Sequence, residues 1–307
     1  NWGDWFGERH CNWGNHECDT VNQLLIRFAR TGDLDAFYAA DAAARHSSEV
    51  DVVHHVNPDL KKWFQGTTSS EIYRTYPARP GMMHEHAVGH VGGFHSKERI
   101  RRLFVSFGTG KSKTPYLCLD PYNLGHVFCE GLVRHYFLTG DPWLRRTAES
   151  MGENLAALVL DGQYPHFEGG SHSGRVNGWT MLALAAVYEL KRAPRIRRAM
   201  RRLADLTLAA RDPHCGGWLY ELPWGHCFCT TRKHVGEAGF ITCVRLNGLI
   251  RYHRLTGDRR IPPAVREAVT HLNRDTWMER ESGWRYTSCP ASPGPARSGV
   301  ILSALAG

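Results

Sequence analysis

The feature that most constrains this chain is a short phrase that recurs between amphipathic segments: Arg30-Thr31-Gly32-Asp33, Leu138-Thr139-Gly140-Asp141 and Leu255-Thr256-Gly257-Asp258. Glycine enters the left-handed region without a Cβ penalty and so closes a helix, while the aspartate after it accepts hydrogen bonds from the free N–H groups of the next one. Pro142 follows Asp141 at a first helical position, where its missing N–H is of no consequence. The flanks carry apolar residues at helical spacing: Val21 to Phe28 and Leu34 to Ala44, Leu124 to Phe137 and Leu144 to Leu160, Ile241 to Tyr252 and Val265 to Leu272. Each phrase is the tip of a helical hairpin. Glu189-Leu190-Lys191-Arg192-Ala193-Pro194 is a degenerate fourth copy that joins Trp179 to Tyr188 with Ile196 to Ala209 and lacks the glycine.

The turns fall near residues 32, 140, 193 and 257, which implies a repeat of roughly 55 residues with one copy displaced between the first two turns. That interval, 50 to 120, holds Pro58, Pro77, Pro80, Pro115 and a histidine-rich stretch, and reads as a long loop-rich excursion. The pattern predicts an all-α chain, an α/α toroid or incomplete barrel of helical hairpins with long functional loops, in one domain over 1–307. Functional residues are expected at the loop ends opposite the turns. Asn1 is not an initiating Met and Ser298 to Ala306 reads as a helix without a stop, so the chain is expected to be a portion of a longer one.

A composition of 42% hydrophobic and 22% charged residues excludes disordered and fibrous readings. The apolar runs Met181 to Val187 and Leu155 to Leu160 fall short of the roughly 20 residues a membrane-spanning helix needs. The net charge of +8 raises a nucleic-acid reading, but the densest basic run, Arg195, Arg197, Arg198, Arg201 and Arg202, alternates with Ile196, Met200, Leu203 and Leu206 as the outer face of a helix. An anionic polymer other than nucleic acid fits the charge equally well. The nine cysteines are odd in number; Cys129 and Cys243 sit in apolar helical patterns, and Cys227-x-Cys229 is too tightly spaced to be an ordinary zinc knuckle by itself. The compartment is left open, with an extracellular or periplasmic location as the expectation.

The loop ends opposite the turns hold Asn1-Trp2-Gly3-Asp4-Trp5 and Asn12-Trp13-Gly14-Asn15-His16-Glu17-Cys18-Asp19, then His84-Glu85-His86-Ala87-Val88-Gly89-His90-Val91-Gly92-Gly93. Further along are Asp120-Pro121-Tyr122-Asn123-Leu124-Gly125-His126-Val127-Phe128-Cys129-Glu130-Gly131 and His166 to Arg175, leading into Gly178-Trp179. Aromatic faces stack on sugar rings while carboxylates and amides bind hydroxyls, so the mixture points to carbohydrate chemistry. No phosphate loop or dinucleotide fingerprint is present.

The order of these motifs resembles the toroid portion of exo-acting rhamnogalacturonan lyases, polysaccharide lyase family 26, over roughly residues 1 to 190; related uronate-polymer lyases share the architecture. The resemblance implies β-elimination on an acidic, uronate-containing polysaccharide. Such a reaction needs a base for the C5 proton, a group that neutralises the carboxylate and an acid for the leaving oxygen. His86, His90, His126 and Tyr122 are candidate proton carriers, and Arg175 can hold a planar carboxylate through its fork. Trp5, Asn15, Glu17, Glu130, His172 and Trp179 are the candidate substrate contacts.

The His84, His86, His90 cluster leaves catalysis, metal binding and loop packing open. His126 and Glu130 stand four apart at an expected helix start, where a buried His–Glu hydrogen bond is the structural alternative. No residue is assigned as a metal ligand, no cofactor is required, and a divalent cation stays an option. Two further readings use the same fold: a glycoside hydrolase with paired carboxylates among Asp4, Glu8, Glu17, Glu130 and Glu168, or a toroid that only binds glycan or assembles with copies of itself. Oligomeric state is open.

Overall fold

The computed structural model describes residues 4–7, 10–13, 18–55, 80–83, 124, 127–161, 173–222 and 226–294. Among these the chain is all-α apart from three two-stranded ladders. Helices α1 (Thr20–Thr31) and α2 (Leu34–His46) form the first hairpin, α3 (Glu130–Thr139) and α4 (Pro142–Leu160) the second, α5 (Ser173–Lys191) and α6 (Pro194–Ala209) the third, and α7 (Gly239–Thr256) and α8 (Ile261–Thr276) the fourth. The short ladders are β1 (Asp4–Gly7) with β2 (His10–Trp13), β3 (Tyr220–Glu221) with β4 (Val235–Gly236), and β5 (Trp277–Met278) with β6 (Gly283–Trp284), all antiparallel.

The recurring phrase does what its chemistry predicts. Gly32, Gly140 and Gly257 are left-handed at φ 71°, 75° and 72°, and their N–H groups donate to the carbonyls of Phe28, Tyr136 and His253. Each preceding threonine folds its hydroxyl back onto the carbonyl four residues earlier: Thr31 to Arg27, Thr139 to His135, Thr256 to Tyr252. Asp33 and Asp141 then cap α2 and α4 by accepting from Asp35 and Trp143, and Asp258 accepts from the Arg260 amide. In the degenerate copy Arg192 takes the glycine's place at φ 48° and makes the same bond, its N–H donating to the Tyr188 carbonyl.

The chain divides into two compact units, one of residues 1–163 with 186–196 and the other of 164–185 with 197–307, so that α5 and α6 contribute to both. In the first unit, α1 and α3 begin side by side: the buried Asp19 caps α1 through the Asn22 amide at 3.1 Å and accepts the Gly131 amide of α3 at 3.0 Å. Ala36, Ala40, Ala43 and Ala44 give α2 a buried small-residue stripe, and Leu132, Leu144, Met151, Leu155 and Leu158 fill the core. Of the excursion, 52–53 and 80–83 pair with each other, and Gly81 packs on Ser150 and Met151 of α4.

In the second unit, α5 and α7 run parallel. Gly174 faces Ile241 and Arg245, Gly178 faces Val244, and Gly248 faces Gly178 and Met181. A Cβ on Gly178 would fall on the Val244 carbonyl, so only glycine permits this approach.

One boundary departs from the sequence expectation. The helix read from Leu124 begins at Glu130, and residues 127–129 are irregular. Asp19 fixes the start by taking the Gly131 amide, and Cys129, at φ −135° and ψ −20°, is a buried residue before the helix rather than inside it.

Candidate functional site

In each unit the parallel helices start at the end of their hairpins opposite the interhelical turns, which is where the chemistry-bearing motifs lead. In the first unit the bond from Gly131 to Asp19 joins segments 112 residues apart, the Asn12 to Asp19 motif and the Asp120 to Gly131 motif. Glu130 occupies the first turn of α3, half-buried, where the helix N-terminus favours an anion. Burial raises the Asp19 carboxyl above its ordinary value despite the amides of Gly131 and Asn22, which oppose the shift. The buried Cys129 thiol is pushed far up, first by burial and then by the anions of Asp19 and Glu130, so both carboxyls lie within electrostatic reach of one sulfur.

Of the other predicted residues, Arg175 is half-buried in the first turn of α5 and Trp179, one turn on, is 7% exposed. Trp5 lies on β1, opposite Asn12 in β2. His86, His90, Tyr122, His126, Asn15, Glu17 and His172 lie outside the described residues, as do Glu8, His84, Glu168 and the Ser298 to Ala306 segment.

The second unit adds a group that the sequence reading passed over. Glu237, 1% exposed just before α7, accepts from the Trp218 amide at 2.6 Å and the Thr242 hydroxyl at 3.3 Å, and lies 3.7 Å from His271 Nε2. Burial raises its pKa, against the Trp218 bond and the fields of His271 and Arg245. Arg245, also buried, holds its guanidinium 4.4 Å from the centre of the Trp218 ring; burial lowers its pKa to about 10, and the Glu237 anion opposes that shift. Gly174 lies against this guanidinium, so the first turn of α5, which carries Arg175, and the Glu237–Arg245 pair share one end of the unit.

Beside them is an aromatic wall. Phe240 stacks on Tyr286 at 5.4 Å, His226 meets Tyr286 edge-on at 5.7 Å, and the Tyr220 hydroxyl is 3.0 Å from His226 Nδ1. Below it, Cys227, Cys229, His234 and Cys289 bring three sulfurs and one ring nitrogen within 4.8 Å of one another. No sequence signal marks Glu237, whose partners come from three separate segments. The Cys227-x-Cys229 pair was visible in the sequence, but its convergence with His234 and Cys289 was not.

No protein-family model matches the chain and no curated protein matches it. Solved structures do. An unsaturated glucuronyl hydrolase from Streptococcus agalactiae aligns at TM-score 0.41 and 13% identity over 52% of this chain, and one from a Bacillus species, described as responsible for the degradation of glycosaminoglycan, at TM-score 0.41 and 15% identity over 52%. The chain spans 37% and 40% of their respective lengths. A glycosyl hydrolase family 88 protein from Bacteroides vulgatus aligns at TM-score 0.41 and 15% identity, over 87% of this chain and 80% of that one. Likeness at this level assigns neither a family nor a residue.

Proposed function

We propose that this chain is a carbohydrate-active enzyme that hydrolyses a uronate-containing glycan, with Glu130 and Glu17 as the working carboxyl pair. The observation that carries the reading is the Gly131–Asp19 hydrogen bond. It ties the helix start that bears Glu130 to Asp19, two residues beyond Glu17 in the sequence. Hydrolysis of a glycosidic bond needs one carboxyl to protonate the leaving oxygen and a second to activate water or attack the sugar carbon, so two carboxyl-bearing motifs drawn to one helix end suit it. The same motifs carry Trp13 and Tyr122, residue types whose rings stack on sugars, and the excess of basic residues suits an acidic polymer.

A second reading, β-elimination, is favoured by the placement of Arg175. Arg175 follows Gly174, which packs against the Arg245 guanidinium in the first turn of α5, and in this reading its fork holds a uronate carboxylate while a histidine takes the C5 proton. One assay divides the two. Incubated with rhamnogalacturonan, polygalacturonate and glycosaminoglycan, a hydrolase releases reducing ends with no gain in the absorbance of conjugated unsaturated uronate. A lyase produces that absorbance with each cleavage. Glu130→Gln is expected to lower the hydrolytic rate by about 10² to 10⁴ with the melting temperature little changed. Absence of any product from all three polymers and from their unsaturated oligosaccharides would end the proposal.

A further inference from the structure

The sulfur and nitrogen atoms at the start of α7 are spaced as metal ligands are. Nδ1 of His234 lies 3.4 Å from Cys227 Sγ, 3.6 Å from Cys229 Sγ and 3.6 Å from Cys289 Sγ, and the Cys229 and Cys289 sulfurs are 3.9 Å apart. Zinc–sulfur bonds of about 2.3 Å and a zinc–nitrogen bond of about 2.05 Å, set at tetrahedral angles, place sulfurs about 3.8 Å apart and sulfur about 3.6 Å from nitrogen. The three sulfur–nitrogen separations and that between the Cys229 and Cys289 sulfurs already match, and all four atoms lie within 4.8 Å of one another. Cys227 and Cys289 are buried at 1% and 0% exposure, and Cys229 and His234 are half-buried. Amides of Lys233, Cys229 and His234 donate to the Cys227 sulfur. Thiolates ligate metal, thiols do not, and outer hydrogen bonds of this kind steady a ligating sulfur.

We infer that Cys227, Cys229, His234 and Cys289 bind one zinc ion in a closed structural site that pins the 226–236 loop to the 287–292 turn and thereby holds Glu237 in place. Three thiolates and one imidazole in a tetrahedron suit zinc, and four protein ligands leave no position for substrate or water. Zinc enters as the dication, and the thiol protons it displaces leave to the buffer. The link to Glu237 is direct. His234 is three residues before it, and Ser288, next to Cys289, exchanges two hydrogen bonds with its backbone: the Glu237 amide donates to the Ser288 hydroxyl at 2.9 Å and the Ser288 amide to the Glu237 carbonyl at 2.9 Å.

The test uses the whole chain and does not depend on its activity. Purified protein, loaded with zinc and desalted, should hold about one zinc per chain by elemental analysis. Cobalt(II) in its place should show the intense thiolate charge-transfer and visible bands of a tetrahedral site. Cys229→Ser should cut retained zinc at least tenfold, while Cys215→Ser and Cys243→Ser, which alter cysteines outside the cluster, should leave it unchanged. Stripping the wild type with a chelator should lower its melting temperature by about 5 °C or more, and added zinc should restore it. Hydrogen exchange at the Ser288 amide should rise on stripping. Three results would overturn the inference: wild-type protein retaining no metal after loading, an octahedral cobalt spectrum, or a Cys229–Cys289 disulfide in the freshly purified chain, seen as a mass two hydrogens lighter without metal.

Discussion

Arg192 shows how a local rule can be broken and what that costs. It sits at φ 48° in the turn between α5 and α6, where the other three hairpins place glycine. A side chain there strains the left-handed backbone by roughly 1 kcal/mol, against which stands, among the described residues, a cation–π contact with the Tyr188 ring at 5.0 Å. Arg192→Gly should therefore stabilise the protein by about 0.5–1 kcal/mol in denaturant unfolding. A loss of stability would mean that the Tyr188 contact outweighs the strain. Asp258 makes the corresponding electrostatic point. Its pKa is lowered from 3.8 to about 2, chiefly by the Arg260 side chain, which meets it at 2.6 Å. A depressed carboxylate stabilises the fold in full above its unfolded value and loses that contribution as pH falls from 3.8 through about 2. With Arg260 half exposed to solvent, the loss should be about 1 kcal/mol, and Asp258→Asn should remove that part of the acid dependence when stability is titrated between pH 5 and 2.

At the scale of elements, α5 approaches α7 closely at Gly178, and this yields a sharp expectation. Gly178→Val places a branched side chain on the Val244 backbone and should destabilise the fold by about 3 kcal/mol or more, measured by thermal unfolding. Gly140→Ala, in open space at φ 75°, should cost only about 1 kcal/mol, all of it conformational. The contrast explains which parts of this structure could be read from sequence. Thr139-Gly140-Asp141 writes its turn in three adjacent residues, because every hydrogen bond it makes is local. The start of α3 could not be placed that way: its cap, Asp19, is 112 residues away, and the apolar run from Leu124 carried the expected helix past its true beginning. The site divides likewise. Glu130 and Arg175 stood out beside glycines and aromatics, whereas Glu237 gains its character only from the burial that Trp218, Thr242 and His271 together impose. Cys289 is 60 residues from Cys229, a separation no ligand spacing rule anticipates.

For the molecule as a whole, the quantity that bears on function is charge. The chain carries 38 basic and 30 acidic residues, a net +8 with a pI near 9.1. Part of this excess is already matched within the fold: Lys191 and Arg195 face Glu153, Arg211 meets Glu267, and Arg260 bridges Asp205 and Asp258. Arg197, Arg198, Arg201 and Arg202, by contrast, lie on the solvent-exposed face of α6. Exposed cations attract a polyanion over about a Debye length, roughly 10 Å at 0.1 M salt and 3 Å at 1 M. Affinity for polygalacturonate should therefore fall at least tenfold between about 0.05 and 0.5 M sodium chloride, while any affinity for a neutral glycan of similar length stays level. Replacing those four exposed arginines with glutamine should flatten the salt dependence of polymer binding and leave turnover of a short uronate oligosaccharide unchanged. Binding of the polyanion that is insensitive to salt in the unaltered protein would show that specific sugar contacts, not the field of the basic surface, hold the polymer.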